Sequence, residues 1–159
     1  LGRALNLITQ IENKEFQDIQ IIPTAPVIED HIDKIREMVS MKELTISRKL
    51  DPKHVFTIDP GLLDILIRNL FKNAIRYAPK GTTIYVETKD GTMRVSNQGE
   101  PTDFSRQQIF DRFRRGKGQR TLGLGLSIVK KICQVSELDI RYDYSEGYHV
   151  FTIKKPDHA

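Results

Sequence analysis

Two segments of this chain fold back on themselves around an acidic residue followed by glycine. They are TTIYVETK–Asp90–Gly91–TMRVSNQ, over 82–98, and LDIRYDYS–Glu146–Gly147–YHVFTIKK, over 138–155. Strand-like runs joined by such a pair are a strong hairpin signal. Two hairpins commit much of the chain to a mixed or antiparallel sheet. The helical stretches between them must then layer on that sheet to bury their apolar stripes. The expected class is therefore α/β, a two-layer sandwich of a mixed, largely antiparallel sheet with helices on one face.

Leu1, Leu5, Ile8 and Ile11 make one helical stripe over 1–16, read either as an ordinary first helix or as the tail of one that starts upstream. IQII at 19–22, LTISRKL at 44–50 and HVFTI at 54–58 read as strands. Pro26 opens a helix carrying Val27, Ile28, Ile32, Ile35 and Val39, with His31 beside the stripe as a packing or surface residue. Asp59-Pro60 starts another helix, which runs to about Ala78 on a face of Leu62, Leu63, Leu66 and Leu70; Pro79 and Gly81 end it. A polar, mostly irregular stretch follows the first hairpin, from Gly99 to about Leu122, and a helix runs from about Gly123 to Val135. Roughly six strands and three or four helices result.

At 159 residues and 38% hydrophobic, the chain has the material for one core. A formal charge of +4 argues at most for a local anion site, not for nucleic acid. One cysteine excludes an internal disulfide framework. No apolar run approaches the ~18 residues of a membrane span. The chain opens on Leu1 rather than methionine, so it is expected to be a piece of a longer protein.

Four places carry candidate chemistry. Asn69 and Asn73 lie one turn apart on the same helical face, followed by Arg76 and Tyr77. They read either as a solvent-facing polar stripe or as oxygen ligands for Mg²⁺, which takes its remaining ligands from water and phosphates. Asn97-Gln98-Gly99 ends a hairpin strand, as a simple turn or as a base site with the Asn97 amide facing an amino group. Gly123-Leu124-Gly125-Leu126 opens a helix, where bare N–H groups favour an anion. This is a weak signal alone, and no P-loop sequence occurs in the chain. Arg112, Arg114, Arg115, Lys117 and Arg120 form a basic cluster: a solvated loop, a phosphate-clamping lid, or a nucleic-acid contact with only Phe110 and Phe113 interleaved.

Taken in order, these pieces resemble the ATP-binding catalytic domain of sensor histidine kinases, within the group shared with gyrase, Hsp90 and MutL ATPases. Asn69-Leu70-Phe71-Lys72-Asn73-Ala74 resembles the N box, and Val95-Ser96-Asn97-Gln98-Gly99 the first glycine box. Ile109 to Gly116 resembles the F box, and Gly123 to Lys130 the second glycine box. The resemblance covers about residues 19–155, and residues 1–16 resemble the end of the second dimerisation helix of that family.

The resemblance implies a Bergerat-type fold with ATP between the helical layer and a lid, and a division into a helix remnant, 1–16, and an ATP-binding catalytic domain, 17–159. It implies that Asn73 is the Mg²⁺ ligand, with Asn69 beside it near the phosphates. Arg76 is then a phosphate contact, Tyr77 packs on adenine, and Gly99 admits the purine. Phe110 and Phe113 anchor the lid, and Arg114 or Arg115 reaches the phosphates. Gly123, Leu124, Gly125 and Leu126 set the second helix against the triphosphate.

It also implies a two-component kinase that phosphorylates a histidine on a dimerisation helix for relay to a response regulator. None of His31, His54, His149 and His158 has the acceptor's context, so the acceptor is expected outside this chain. The implied parent is a membrane-associated homodimer, of which this is the cytoplasmic domain of an inner-membrane sensor. The sequence departs from the family in three residues. Asn97 replaces an Asp, Pro101 the second glycine of its box, and Thr121 the first glycine of the later box. The lid is also short. Loss of charge assistance at Asn97 is expected to weaken ATP binding by ~1 kcal/mol. A non-catalytic nucleotide sensor of the same fold is the main alternative. An ATPase or protein-serine kinase of the wider group, and a nucleic-acid module, are the others.

Overall fold

The computed structural model describes residues 2–111 and 125–156. Five strands form one sheet: β2 (Thr45–Lys49), β4 (Thr83–Lys89), β5 (Thr92–Gln98), β7 (Tyr148–Lys154) and β6 (Asp139–Ser145), in that spatial order. The β2–β4 pair is parallel and the other three pairs are antiparallel. Both expected hairpins are present. Their turns place Asp90 and Gly91 at φ 50° and 77°, and Glu146 and Gly147 at φ 52° and 85°. Positive φ at both central residues is the primed turn that matches strand twist. A second, two-stranded antiparallel sheet joins β1 (Gln20–Pro23) to β3 (Val55–Ile58).

Alternation decides which face of the large sheet is covered. Ile84, Val86 and Thr88 on β4, Met93, Val95 and Asn97 on β5, and Phe151 and Ile153 on β7 are all buried. Tyr85, between two of them, is exposed. The covered face meets α4 (Pro60–Tyr77), which packs on β5 and on α5 (Gly125–Val135). The Asp59 carboxylate caps α4, accepting from the backbone N–H of Gly61 and Leu62, and also from that of Asp18. Pro60 occupies the first helical position, where its missing N–H costs nothing. Leu62, Leu63, Leu66, Leu70, Phe71 and Ala74 run along the buried stripe of α4. At the other end, the Lys42 ammonium donates to the carbonyls of Ile75 and Arg76, at 2.6 and 2.9 Å, satisfying acceptors that a helix C-terminus leaves open.

α1 (Gly2–Glu12) packs on α5 and adds Ile8 and Ile11 to the common core, with Glu12 paired to Lys131. Leu1 lies outside the described residues. The helix expected from Pro26 to Val39 is two helices. α2 runs Thr24–Lys34, with Pro26 in its first turn as the sequence suggests, and α3 runs Arg36–Met41. Ile35 interrupts them at φ −100° and ψ 6°. Its side chain stays in the core, so the apolar spacing passes through the break unaltered. His31 is buried on α2 and meets Asp64 of α4 at 2.7 Å, a structural tie between two helices.

Candidate functional site

α4 ends beside the sheet, and its last two turns present Asn69, Asn73, Arg76 and Tyr77. Asn73 and Tyr77, four residues apart, share a face, and both line a cavity of about 250 Å³. Asn97 at the end of β5, and Gly99, Glu100 and Thr102 beyond it, also line the cavity, as do Pro79, Ile109 and, from α5, Leu126. Tyr142, His149 and Phe151 of the second hairpin complete the lining.

Asn97 is only 1% exposed, a polar side chain on the apolar face of β5. Its amide nitrogen donates to the Gln98 carbonyl at 3.0 Å. That use of the NH₂ leaves Oδ1 as the acceptor. Tyr77 stays a neutral phenol, because burial pushes its pKa up against the weaker pull of Arg76. The exposed Arg76 guanidinium lies 5.4 Å from the centre of the Tyr77 ring, as a cation over an aromatic face. It is outside the cavity lining.

Asn69 and Asn73 are not equivalent. The Asn69 amide donates to the Ile65 carbonyl of its own helix at 2.7 Å. Asn73 makes no side-chain hydrogen bond among the described residues. Asn69 also lies against the start of α5. A Cβ on Gly125 would stand 3.0 Å from Asn69 Oδ1, so only glycine fits there without displacement. Gly125 is thus beside the cavity, and Leu126 is in its wall. Phe110 is buried behind the site in a 3-10 turn, Gln108–Phe110, edge-on to Phe151 at 6.1 Å with Lys130 over its ring. Phe113, Arg114, Arg115, Gly123 and Leu124 lie outside the described residues, as do Arg112, Lys117, Arg120 and Thr121.

Three participants escape sequence reading. His149 and Tyr142 sit on strands whose aromatic content reads as core, and Lys42 holds the end of α4 from 33 positions away in sequence. The only hint was that His149 lacked an acceptor's context. Among the described residues no group of three His, Cys, Asp or Glu side chains could hold a metal ion alone. A divalent cation at Asn73 would depend on oxygen ligands from a phosphate-bearing substrate and water, which is how Mg²⁺ is usually held. The donor set therefore fits Mg²⁺ delivered with a nucleotide.

The sequence pattern of the histidine kinase-, DNA gyrase B-, and HSP90-like ATPases matches residues 58–159. Sensor protein QseC of Escherichia coli is 28% identical over 147 residues, covering 90% of this chain and 32% of the relative. Sensor protein BasS of Salmonella typhimurium is 32% identical over 133 residues, covering 77% of this chain and 35% of the relative. The chain spans about a third of the length of these curated relatives. The cytoplasmic segment of histidine kinase QseC superposes with a TM-score of 0.75 at 22% identity, over 99% of this chain and 95% of that one. The catalytic domain of histidine kinase ThkA gives 0.73 at 24% identity, over 88% of this chain and 96% of that one. At these identities the likeness is one of fold.

Proposed function

Because the chain belongs to the histidine kinase-, DNA gyrase B- and HSP90-like ATPases, we propose that it is the ATP-binding kinase domain of a two-component sensor histidine kinase. It transfers the γ-phosphoryl group of ATP to a histidine on a dimerisation helix of the same protein, outside this chain, for relay to a response regulator. One observation carries this reading. The cavity brings a buried carboxamide, Asn97, together with Tyr77, Asn73 and Gly99.

Each residue then has a task that follows from its surroundings. Asn97 Oδ1 accepts from the purine amino group, and Tyr77 offers its ring to the base. Asn73, whose side chain makes no hydrogen bond among the described residues, would turn its carbonyl to Mg²⁺, while Asn69 lies against the opening turn of α5. Mg²⁺ held there would supply neutralisation of phosphate charge. Arg76 is placed to meet phosphate once it leaves the Tyr77 ring. Arg114 and Arg115 carry the charge-stabilising role the resemblance gives them, with Phe110 and Phe113 anchoring the segment that bears them. Gly123, Leu124, Gly125 and Leu126 bring the N-terminus of α5 to the triphosphate. Phosphoryl transfer asks for positioning and charge neutralisation of this kind.

Residues 1–16 are read as the end of the second dimerisation helix, and 17–159 as the catalytic domain. The near-complete match to a cytoplasmic kinase segment, against 88% coverage for an isolated catalytic domain, supports that division. No helix among the described residues is long and apolar enough to cross a membrane. The parent is read as a membrane-associated homodimer with this domain on the cytoplasmic side. The test is to mix the chain with the dimerisation helices of its parent and labelled Mg-ATP. Acid-labile label on a helix histidine is the expected result; saturable ATP uptake without transfer in the full-length protein would favour a nucleotide sensor, a reading the neutral Asn97 supports.

A further inference from the structure

Resting on the nucleotide reading above, we infer that His149 is a positioning residue of the base pocket, its imidazole bridging Tyr142 and the Glu100 carbonyl and thereby fixing the Gly99–Glu100 wall. His149 stands directly opposite Asn97 in the β5–β7 register. Its Nε2 lies 2.7 Å from the Glu100 carbonyl oxygen, which can only accept, so Nε2 carries the hydrogen. Nδ1 is then the lone-pair side, and it receives the Tyr142 hydroxyl at 2.6 Å. Burial holds His149 below the usual histidine range and pushes Tyr142 up to about 12, so both groups are neutral and the chain of bonds keeps this direction.

The bridge is joined by two further ties from the second hairpin to Gly99, which has already left the sheet. The Tyr144 hydroxyl donates to the Gly99 carbonyl at 2.7 Å, and Gly99 N–H donates to the Gly147 carbonyl at 3.0 Å. Of these three bonds, that of His149 reaches past Gly99 to Glu100. The ring lies almost parallel to Tyr142, at 22°, and a Cβ on Gly99 would come within 3.0 Å of it, so wall and ring are already in contact. Gly99, Glu100, His149 and Tyr142 all face the cavity. Displacing the wall would therefore change the slot offered to a base, and leave the phosphate end, at α4 and α5, as it was.

A packing role and a positioning role predict different results. The intact chain and its variants are titrated with ATP, adenosine and inorganic tripolyphosphate, all with Mg²⁺, and melting is followed in parallel. His149→Phe keeps the ring but loses both hydrogen bonds; ATP and adenosine should bind about tenfold more weakly, with tripolyphosphate unchanged. His149→Gln, whose amide nitrogen reaches the Nε2 position, should recover most of that loss. Tyr142→Phe removes one bond from the bridge and should cost a few-fold. Wild-type ATP affinity in His149→Phe, or an equal loss of ATP and tripolyphosphate, would overturn the inference. So would failure of Gln to outperform Phe. Absence of saturable ATP uptake by the wild-type chain would overturn the nucleotide reading and this inference together, whereas the other outcomes bear on His149 alone.

Discussion

The two walls of the cavity are built in opposite ways. On the sheet side, Asn97 is spent on Gln98, Gly99 is bonded through both its N–H and its carbonyl, and Glu100 is held by His149. On the helix side, Asn73 has no hydrogen bond among the described residues, and Arg76 rests on an aromatic ring at the surface. A buried polar group must find its partner at folding, but a half-exposed one can wait for a ligand. The sheet wall is thus complete in the free protein. On the helix side, in the proposed reading, the bonding of Asn73 is completed by an entering ligand.

Asn73→Ala should produce the largest effect and the clearest break between the walls. Mg-ATP-dependent phosphorylation of added dimerisation helices should be abolished, while thermal melting shows a stability change within ~0.5 kcal/mol, as for a partly exposed residue whose side chain bonds to none of the described residues. Retained activity would remove Asn73 from the mechanism. Asn97→Asp tests the finished wall. A carboxylate can no longer donate to Gln98 and is nearly fully buried, so the free domain should lose ~1–3 kcal/mol of stability in denaturant melts. Calorimetry should nonetheless show ATP binding tightened by ~1 kcal/mol through the charge-assisted bond. Unchanged or weaker affinity would mean that Asn97 does not meet the base.

The smallest expected effect is on the pH dependence of folding, set by His149 in the sheet wall and by His54, which lies outside the cavity and meets Thr24 at 2.6 Å. Burial depresses the pKa of both His54 and His149 in the folded chain, against weaker upward pulls from the backbone of Gly91 and Glu100. Below the unfolded value of ~6.5 the unfolded chain therefore binds more protons, and folding loses ground. The stabilisation is present in full above ~6.5 and declines as pH falls through the depressed folded values. Melting temperature should drop by a few degrees from pH 7 to pH 5, and His54→Gln should flatten the slope.

What the sequence revealed of this molecule was mostly local. Both hairpins were legible because Asp90-Gly91 and Glu146-Gly147 carry the turn in two adjacent residues. The span of α4 was legible because Asp59, Pro60 and Pro79 punctuate it. The break at Ile35 was not, since its side chain continues the apolar stripe on both sides of the interruption. Nor was the parallel pairing of β2 with β4, which brings Thr45 beside Thr83 across a gap containing two other elements, β3 and α4. In the site, Asn73, Tyr77, Asn97, Gly99 and Leu126 converge on one cavity, and their motifs had suggested as much. His149 and Lys42 had no such signal. Each acts on a partner distant in sequence, through bonds that exist only once the chain is folded.

Lys42 also sets a boundary for anyone cutting the chain. The stretch that matches the ATPase pattern starts at residue 58, yet the ammonium that tethers the end of α4 stands upstream of it, as does β2, the neighbour of β4. A fragment trimmed to the matched stretch would uncap the helix just where Tyr77 meets the cavity and expose a bare edge on the sheet. The smallest unit that can be expressed as a working receptor for its ligand is larger than the stretch by which its kinship is detected.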